Sequence, residues 1–410
     1  MILIILAGRG ESNKALINMD LTQTDHLKAY GLVYWLLQQN QNVEWLLNYR
    51  GGSFLVDYSD YIANECRLRG VTFERTDGAT ASQIYSLIQE ENMDIILLEK
   101  APRIAIYTPP NKQPWDDAVT LALTYAEVDY SKIWDKEVLR GKLEDYDWLH
   151  LHHEDFTGQY NKFFYSFRNT EWYVQEKILF EKIAAELGYS KVSDEKKDAA
   201  LRVREYVERG GFLFAMCLAT NTLDIALASQ TADIVPQEFD GDGIDPNFQK
   251  KLNFDRTFAF QNFKIETNPL IPVYDDIDVN RVNTPERLEA LDFTLFDFAA
   301  KYDPVPSMLV QNHVNHIKGF YGLLTSYNRK VLKKSVVFLG ESDGTDQVKY
   351  IHGNFGKGQF TFLGGHDPED KQHLVGDPPT QLSLNKNSPG YRLILNNILF
   401  PAARKKKLKT

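Results

Sequence analysis

Cysteine is almost absent: Cys66 and Cys217 are the two in 410 residues. Two thiols cannot make a disulfide framework for a chain this long, so its stability has to come from buried apolar surface. Excess positive charge is missing as well, with 46 basic against 56 acidic residues and a formal net charge of -10. Nucleic-acid binding needs clustered cations that displace counterions from phosphates, so nucleic acid is not an expected partner. The one basic run, Arg404, Lys405, Lys406, Lys407 and Lys409, reads as a solvated tail within 401–410. No segment approaches the roughly 20 apolar residues of a membrane span. Met1 to Ala7 is apolar but lacks the cationic start and cleavage site of a secretory signal. The sequence as written is therefore expected in the cytoplasm, or in the periplasm if that segment is the tail of a longer signal. An internal repeat of fixed period is also missing, which excludes solenoids and propellers.

What is present is the balance of a globular protein, 43% hydrophobic and 25% charged, long enough for two or three domains. Apolar runs of strand length alternate with segments of helical spacing. Strands are predicted at 15–19, 43–47 and 94–98, with helices at 26–37, 58–68 and 82–90. This predicts an N-terminal α/β unit over 14–100 with mainly parallel strands. The cycle restarts with a strand at 103–107, a helix over 114–125 and a strand at 145–151. A helical excursion over 156–209 precedes a core strand at 211–216 and a helix from 221 to 229. Residues 231–330 read as a long irregular insertion, and strands at 335–339, 347–351 and 358–363 precede a closing helix at 389–399. The expected fold class is α/β with two Rossmann-like or flavodoxin-like units, the second spanning 101–400.

Three constellations carry chemistry. In the first, the apolar strand leading to Met216 ends abruptly in Cys217, followed by Leu218, Ala219 and Thr220 and then a helix, which is the sequence form of a nucleophile elbow. A thiol there sits at a positive helix N-terminus that favours thiolate, with backbone amides able to hold an oxyanion. A buried structural cysteine is the alternative reading. In the second, a strand ends in Gly364-Gly365-His366-Asp367-Pro368-Glu369, which supplies a base and nearby carboxylates. In the third, His150-Leu151-His152-His153-Glu154-Asp155, strand alternation puts His150 and His152 on one face, where two imidazoles can bind zinc or iron. Pocket lining and ordinary polar satisfaction are the other readings of that run. His313 and His316 form a further i, i+3 pair, read as structural. Gly8-Arg9-Gly10 precedes a strand and Asp240 to Asp245 lacks a ligand of a calcium loop, so both read as turns.

The Cys217 elbow followed far downstream by His366 and Glu369 resembles the order of the class I glutamine amidotransferase-like superfamily over 103–400. That resemblance implies Cys217 as nucleophile, His366 as base, and Glu369, or alternatively Asp367, as orienting acid. It also implies that Leu218, Gly365, His152, His153 and Glu154 line the substrate and oxyanion pocket. The strings MDLTQTDHLKAYG at 19–31, LLNYRGGSFL at 46–55 and HHEDFTGQY at 152–160 resemble a bacterial family commonly labelled asparagine synthetase B, across nearly the whole chain. Synthetases of that name use a cysteine exposed at residue 2 and an ATP-binding S-G-G-x-D-S loop. Residue 2 here is Ile and the loop does not occur, so ATP-dependent asparagine synthesis is not expected. The leading expectation is a cysteine-dependent amidohydrolase or amidotransferase-like enzyme acting on a small-molecule amide, without a cofactor and with homo-oligomerisation left open. Its rivals are a metal-dependent hydrolase using the His150 to Asp155 run and a non-catalytic binding or assembly protein that keeps the fold.

Overall fold

The computed structural model describes residues 13–111, 117–279, 292–320, 324, 326–342, 344–369 and 378–404. The readings made on residues 1–10 and on Lys405, Lys406, Lys407 and Lys409 lie outside the described residues. Two sheets organise the rest.

The first sheet has the order β4-β1-β3-β2-β5, formed by β1 (Lys14–Ile17), β2 (Val43–Leu47), β3 (Ser53–Asp57), β4 (Glu74–Thr76) and β5 (Asp94–Leu98). Every pair in it is antiparallel, which corrects the expectation of mainly parallel strands. The cause is local. Asn48, Arg50, Gly51 and Gly52 all have positive φ, at 62, 46, 75 and 85°. That left-handed run folds β2 back on β3 as a hairpin, and the unforeseen β3 inserts between β1 and β2. A Cβ on Gly51 would fall 2.5 Å from the Met19 carbonyl oxygen, so this bend accepts only glycine there. Helices α1 (His26–Gln38), α2 (Asp60–Arg69) and α3 (Gly78–Glu90) each begin on a side chain that accepts from a first-turn amide, namely Asp25, Ser59 and Asp77.

The second sheet has ten strands among the described residues. Its parallel half runs β7-β6-β8-β9-β15, from β6 (Ile104–Tyr107), β7 (Ser131–Ile133), β8 (Trp148–Leu151), β9 (Phe212–Met216) and β15 (Gly358–Leu363). Antiparallel strands β14 (Gln347–Phe355), β13 (Val337–Ser342), β10 (Phe293–Leu295) and β11 (His316–Ile317) extend it, and β12 (Tyr327–Asn328) pairs off the path with β14. Gly353 and Asn354 lie inside β14, and the chain turns at Gly356, whose φ is 58°. Helices α4 (Ala118–Ala126), α5 (Asp135–Leu139), α6 (Phe164–Phe167), α7 (Glu171–Glu186), α8 (Val192–Arg209) and α9 (Ala219–Ala228) follow their strands, and Pro389–Leu399 closes the chain.

Alternation along the strands divides the core. Trp148, Phe214 and Leu363 face one cluster shared with α1, α4, the closing helix and Trp45 and Phe54 of the first sheet. Leu149, Leu151, Leu213, Ala215, Cys217 and Phe362 face a second cluster with α7, α8 and α9. Each buried side chain of this size contributes ~1.5–3 kcal/mol, so the two-sided covering explains why these strands read as continuous apolar runs. Arg392 of the closing helix is fully buried and donates to the carbonyls of Met19 (2.8 Å) and Gly51 and to the Tyr30 hydroxyl (3.1 Å). It ties the hairpin region of the first sheet to the helix layer of the second.

Candidate functional site

Written in chain order, the parallel strands lie 2-1-3-4-5, with the reversal between β6 and β8. Open α/β sheets form their ligand crevice outside the carboxyl ends of the strands at such a reversal. The three constellations all leave this carboxyl edge: His152 and His153 follow β8, Cys217 follows β9, and His366 lies just beyond β15. Parallel pairing sets Leu363 opposite Met216 and Leu151 opposite Ala215, so these segments leave adjacent strands at one level.

Cys217 adopts φ = 48° between the last residue of β9 and the first turn of α9. Left-handed backbone at a residue with a Cβ costs ~1–2 kcal/mol, and it is the bend that sharply reverses a strand into a helix. Its N–H donates to the Leu363 carbonyl at 3.3 Å, and its carbonyl accepts from the Thr220 amide and hydroxyl at 3.2 and 2.7 Å. The thiol is buried, at 1% exposure. Leu218 packs in the core beside it, and Ala219 donates its N–H to the His152 carbonyl at 2.9 Å, linking the elbow to the end of β8.

Sequence reasoning missed two groups near the thiol. Lys349 is fully buried, and burial pushes its ammonium down to about 7 against the opposing pull of Asp278 and Cys217. Its Nζ donates to the Phe320 carbonyl at 3.2 Å. Pairing of β13 with β14 passes from Gly340↔Tyr350 to Glu341↔Val348, so Lys349 is the extra residue of a β-bulge, a device that re-aims a side chain. Tyr327, also buried, has its phenol held well above the ordinary range by burial, with a hydrogen bond to Thr220 pulling the other way and Cys217 adding to the rise.

The histidines converge. His366 Nε2 and His153 Nε2 share a hydrogen bond of 3.1 Å, and His152 stacks on His153 with centroids 4.0 Å apart and 11° between planes. Gly365 makes this approach possible: its φ is 103°, and a Cβ there would lie 2.1 Å from the Phe320 carbonyl oxygen. On the far side of His152 stands Asp117, which also escaped sequence reasoning. It is the N-cap of α4, its Oδ1 accepting from Val119 and Thr120 at 2.7 and 3.0 Å. His150 Nε2 lies 3.6 Å from its Oδ2 and His152 Nδ1 lies 3.5 Å from its Oδ1. Burial would raise the Asp117 carboxyl, but His150 and His152 hold it well below the ordinary carboxylate range. Burial lowers His152, with Asp117 pulling the other way.

Other expected site residues turn elsewhere. The Glu154 carboxyl lies 3.4 Å from Lys196 Nζ and 3.5 Å from Trp134 Nε1, and burial pushes it up to about 7. Lys196 is itself held by Asp135 at 2.8 Å, so Glu154 belongs to a buried ionic network. Asp155 braces its own loop, accepting from Thr157, Gln159, Asn161 and the Tyr274 hydroxyl. Asp367 accepts from Tyr391, Thr380 and the Glu369 amide at 2.7, 3.0 and 2.9 Å, which occupies both its oxygens and ties Glu369 into the same loop. His313 and His316 separate: the first stacks on His26, the second pairs with Asp292 at 3.1 Å. Asp233, Asp240 and Asp242 surround the Lys191 ammonium at 3.0, 3.2 and 2.5 Å, so that acidic cluster already has its cation.

Space is distributed unevenly. A cavity of about 730 Å³ opens at the amino ends of the strands, among Arg103, Arg209, Gly211, Gly358 and Arg404. Three of its basic groups are neutralised in place, Arg103 by Asp147, Arg209 by Glu144 and Arg404 by Glu99. The small hollow beside the histidines, lined by His153, Glu154, Asp155, Tyr160 and Glu176, measures about 10 Å³, room for about one water. The chemistry concentrates at the carboxyl edge and the open volume at the other end, and perturbed groups are the better guide to reactivity.

Among the described residues no helix is long and apolar enough to cross a membrane. No protein-family profile and no curated protein matches this chain. Among solved structures it is similar to cytoplasmic protein STM3548 from Salmonella typhimurium, at 12% identity over 74% of this chain and 100% of the other, with a TM-score of 0.36. It is similar also to cytoplasmic protein STM1381 from Salmonella typhimurium LT2, again at 12% identity over 74% and 100%, with a TM-score of 0.38. Likeness at this level assigns neither a fold nor a role.

Proposed function

We propose that the chain is a cysteine-dependent amidohydrolase or amidotransferase-like enzyme in which Cys217 is the nucleophile toward a small-molecule amide. The observation that carries this reading is the left-handed backbone of Cys217, φ = 48°, at a strand-to-helix junction on the carboxyl edge of a parallel sheet. Strain of this kind is kept where a side chain must be projected from a sheet edge with helix amides behind it. Lys349 supplies a nearby ammonium that loses its proton close to neutral pH, and a cation beside a thiol favours thiolate. His366, three residues past the end of the neighbouring strand, is the candidate base.

In this reading the thiol proton passes to the base and sulfur adds to the amide carbonyl carbon. The C–N bond then breaks as the leaving amine takes that proton back. Water, or a second acceptor in a transferase, displaces the thiol from the resulting thioester. Asp367 is committed to Tyr391 and Thr380, so the base is oriented through its bond to His153.

The test joins thiol mapping to turnover. Native protein alkylated near neutral pH is expected to label at Cys217 ahead of Cys66, whose thiol burial pushes up to about 12. Ammonia release from a panel of small primary amides is expected to fall about a thousandfold or more in Cys217→Ser. Equal slow labelling of both thiols, with no amide turned over by the native chain, would sink the enzyme reading in favour of a binding role.

A further inference from the structure

The face of the sheet opposite Cys217 carries a second centre. We propose that Asp117, His150 and His152 form a divalent transition-metal site of the zinc class. The proposal does not depend on the role of Cys217, which belongs to none of the metal-capable clusters among the described residues.

Geometry comes first. His150 and His152 stand two residues apart at the end of β8, so strand alternation turns both rings to one side, and the N-cap of α4 brings the Asp117 carboxylate to meet them. The nitrogen-to-oxygen separations of 3.6 and 3.5 Å exceed a good hydrogen bond. Each is the length of a tetrahedral edge, since with metal–nitrogen and metal–oxygen bonds of ~2.0–2.2 Å two ligand atoms lie ~3.3–3.6 Å apart; His150 faces Oδ2 and His152 faces Oδ1 of the one carboxylate.

Hydrogen-bond satisfaction is the second, independent observation. His150 Nδ1 pairs with the Phe214 carbonyl at 3.1 Å, so Nδ1 carries the proton and Nε2 turns a lone pair toward a carboxylate. That is the outer bond a metal-bound imidazole keeps. His150 and His152 are 0% and 1% exposed, and among the described residues neither His150 Nε2 nor either ring nitrogen of His152 has a partner within hydrogen-bond distance, the Asp117 oxygens standing just beyond it. Each such orphan costs ~1–3 kcal/mol if nothing satisfies it. A proton shared with Asp117 would satisfy one ring and leave the other bare. Protonating both rings would set two buried cations against one carboxylate. One divalent ion satisfies His150 Nε2, one nitrogen of His152 and the carboxylate together.

The neighbouring set His152, His153 and His366 is less suited. Stacking at 11° makes the lone pairs of His152 and His153 run side by side rather than converge, and His153 and His366 already satisfy each other. Two imidazoles and a carboxylate favour zinc, iron(II) or manganese over calcium, and three protein ligands leave a fourth position open to water or substrate, the pattern of a catalytic rather than a structural ion.

The test uses the full chain, purified without a histidine tag, stripped by chelator and titrated with Zn(II) and Co(II). About one equivalent is expected to bind, and the Co(II) form is expected to show ligand-field bands without a thiolate charge-transfer band. Asp117→Asn and His152→Gln should each weaken binding about a hundredfold or more, beyond the loss typical of an outer-shell change. Cys217→Ser and His366→Gln should bind as the parent does, and melting curves of the metal-free variants separate lost binding from lost fold. If both ligand variants fail to fold, the parent's stoichiometry and Co(II) spectrum decide. A parent chain that binds no ion, ligand variants with unchanged affinity, loss of binding in His366→Gln, or a thiolate band would each overturn the assignment. Because Cys217→Ser is expected to keep its metal, failure of the cysteine reading leaves a separate signature from failure of this one.

Discussion

On the face of β9 that packs against α8 and α9, the sheet edge ends in Cys217, with Lys349 and Tyr327 within electrostatic range of it. On the face turned to α4 and the closing helix, the neighbouring strand β8 presents His150 and His152 to Asp117. The strands are adjacent and in register, and alternation turns Phe214 and Cys217 to opposite faces, with His150 on the Phe214 side. A thiolate is a strong ligand for zinc, and a thiolate bound to a metal is a blunted nucleophile. Strand alternation therefore does more than sort core from surface here: it keeps a soft nucleophile out of reach of two imidazoles that leave the same sheet edge.

Three substitutions would break or sharpen that contrast. Gly365→Ala is expected to have the largest effect, because it asks a residue with a Cβ to adopt φ = 103° with that carbon 2.1 Å from the Phe320 oxygen. A loss of about 3 kcal/mol or more is expected in urea unfolding. The same carbonyl holds Lys349, so the thiol side should suffer while metal affinity stays within about threefold. Equal loss on both sides would show that the faces are one unit.

Lys349→Met is expected to slow alkylation of Cys217 about tenfold at pH 7, through loss of the neighbouring cation. It should also change the pH dependence of stability. The folded ammonium gives up its proton near 7 against an ordinary 10.5, so between those values the unfolded chain binds more protons. Stability of the parent should rise with pH across that window, and the methionine variant should lose that rise of a few kcal/mol. Denaturant titrations from pH 6.5 to 9.5 would check it, and parallel slopes in the two proteins would refute it.

The smallest effect is expected from Glu176→Gln, in the hollow beside His153. Burial pushes the Glu176 carboxyl up to about 7 from 4.5, so the folded chain binds more protons between those values and its stability falls as pH rises through them. The glutamine variant should flatten that fall by ~1–2 kcal/mol while leaving alkylation and metal binding unchanged. Unfolding curves at pH 5 and pH 7.5 suffice.

Much of the scaffold was legible because period-2 and period-3.6 patterns survive wherever a segment has one covered side. The strands 43–47, 94–98 and 358–363 and the helix 389–399 stand where the pattern put them. What escaped detection did so for physical reasons. β3 follows a left-handed bend, and from residue types alone Arg50 gives no sign that it will accept positive φ. Asp117 reads as one more helix-capping aspartate, since its carboxylate meets the histidines only after β6 and β8 have paired. Lys349, set between Val348 and Tyr350, has the look of a solvent-facing strand position, and only a bulge deep in the sheet makes it a buried cation. His152, His153, Cys217 and His366 were visible because each stands where an apolar run stops. Glu154, Asp155 and Asp367 were visible for the same reason, yet they turned into loop and network bonds that no spacing rule foretells.

Arg392 sets an order of events on the ribosome. All fifteen described strands have been synthesised by residue 363, so both sheets can pair before the chain is finished. The carbonyls of Met19 and Gly51, however, have no guanidinium to accept from until residue 392 has been made, hundreds of residues after they were. Until then the Gly51 carbonyl at the hairpin bend has water in place of that guanidinium, the Met19 carbonyl has His26 Nε2 at 3.1 Å, and the helix layer between the sheets stays open on one side. A nascent chain of this protein thus holds a nearly complete set of strands in an unsealed state, and the last helix to emerge is the one that shuts it.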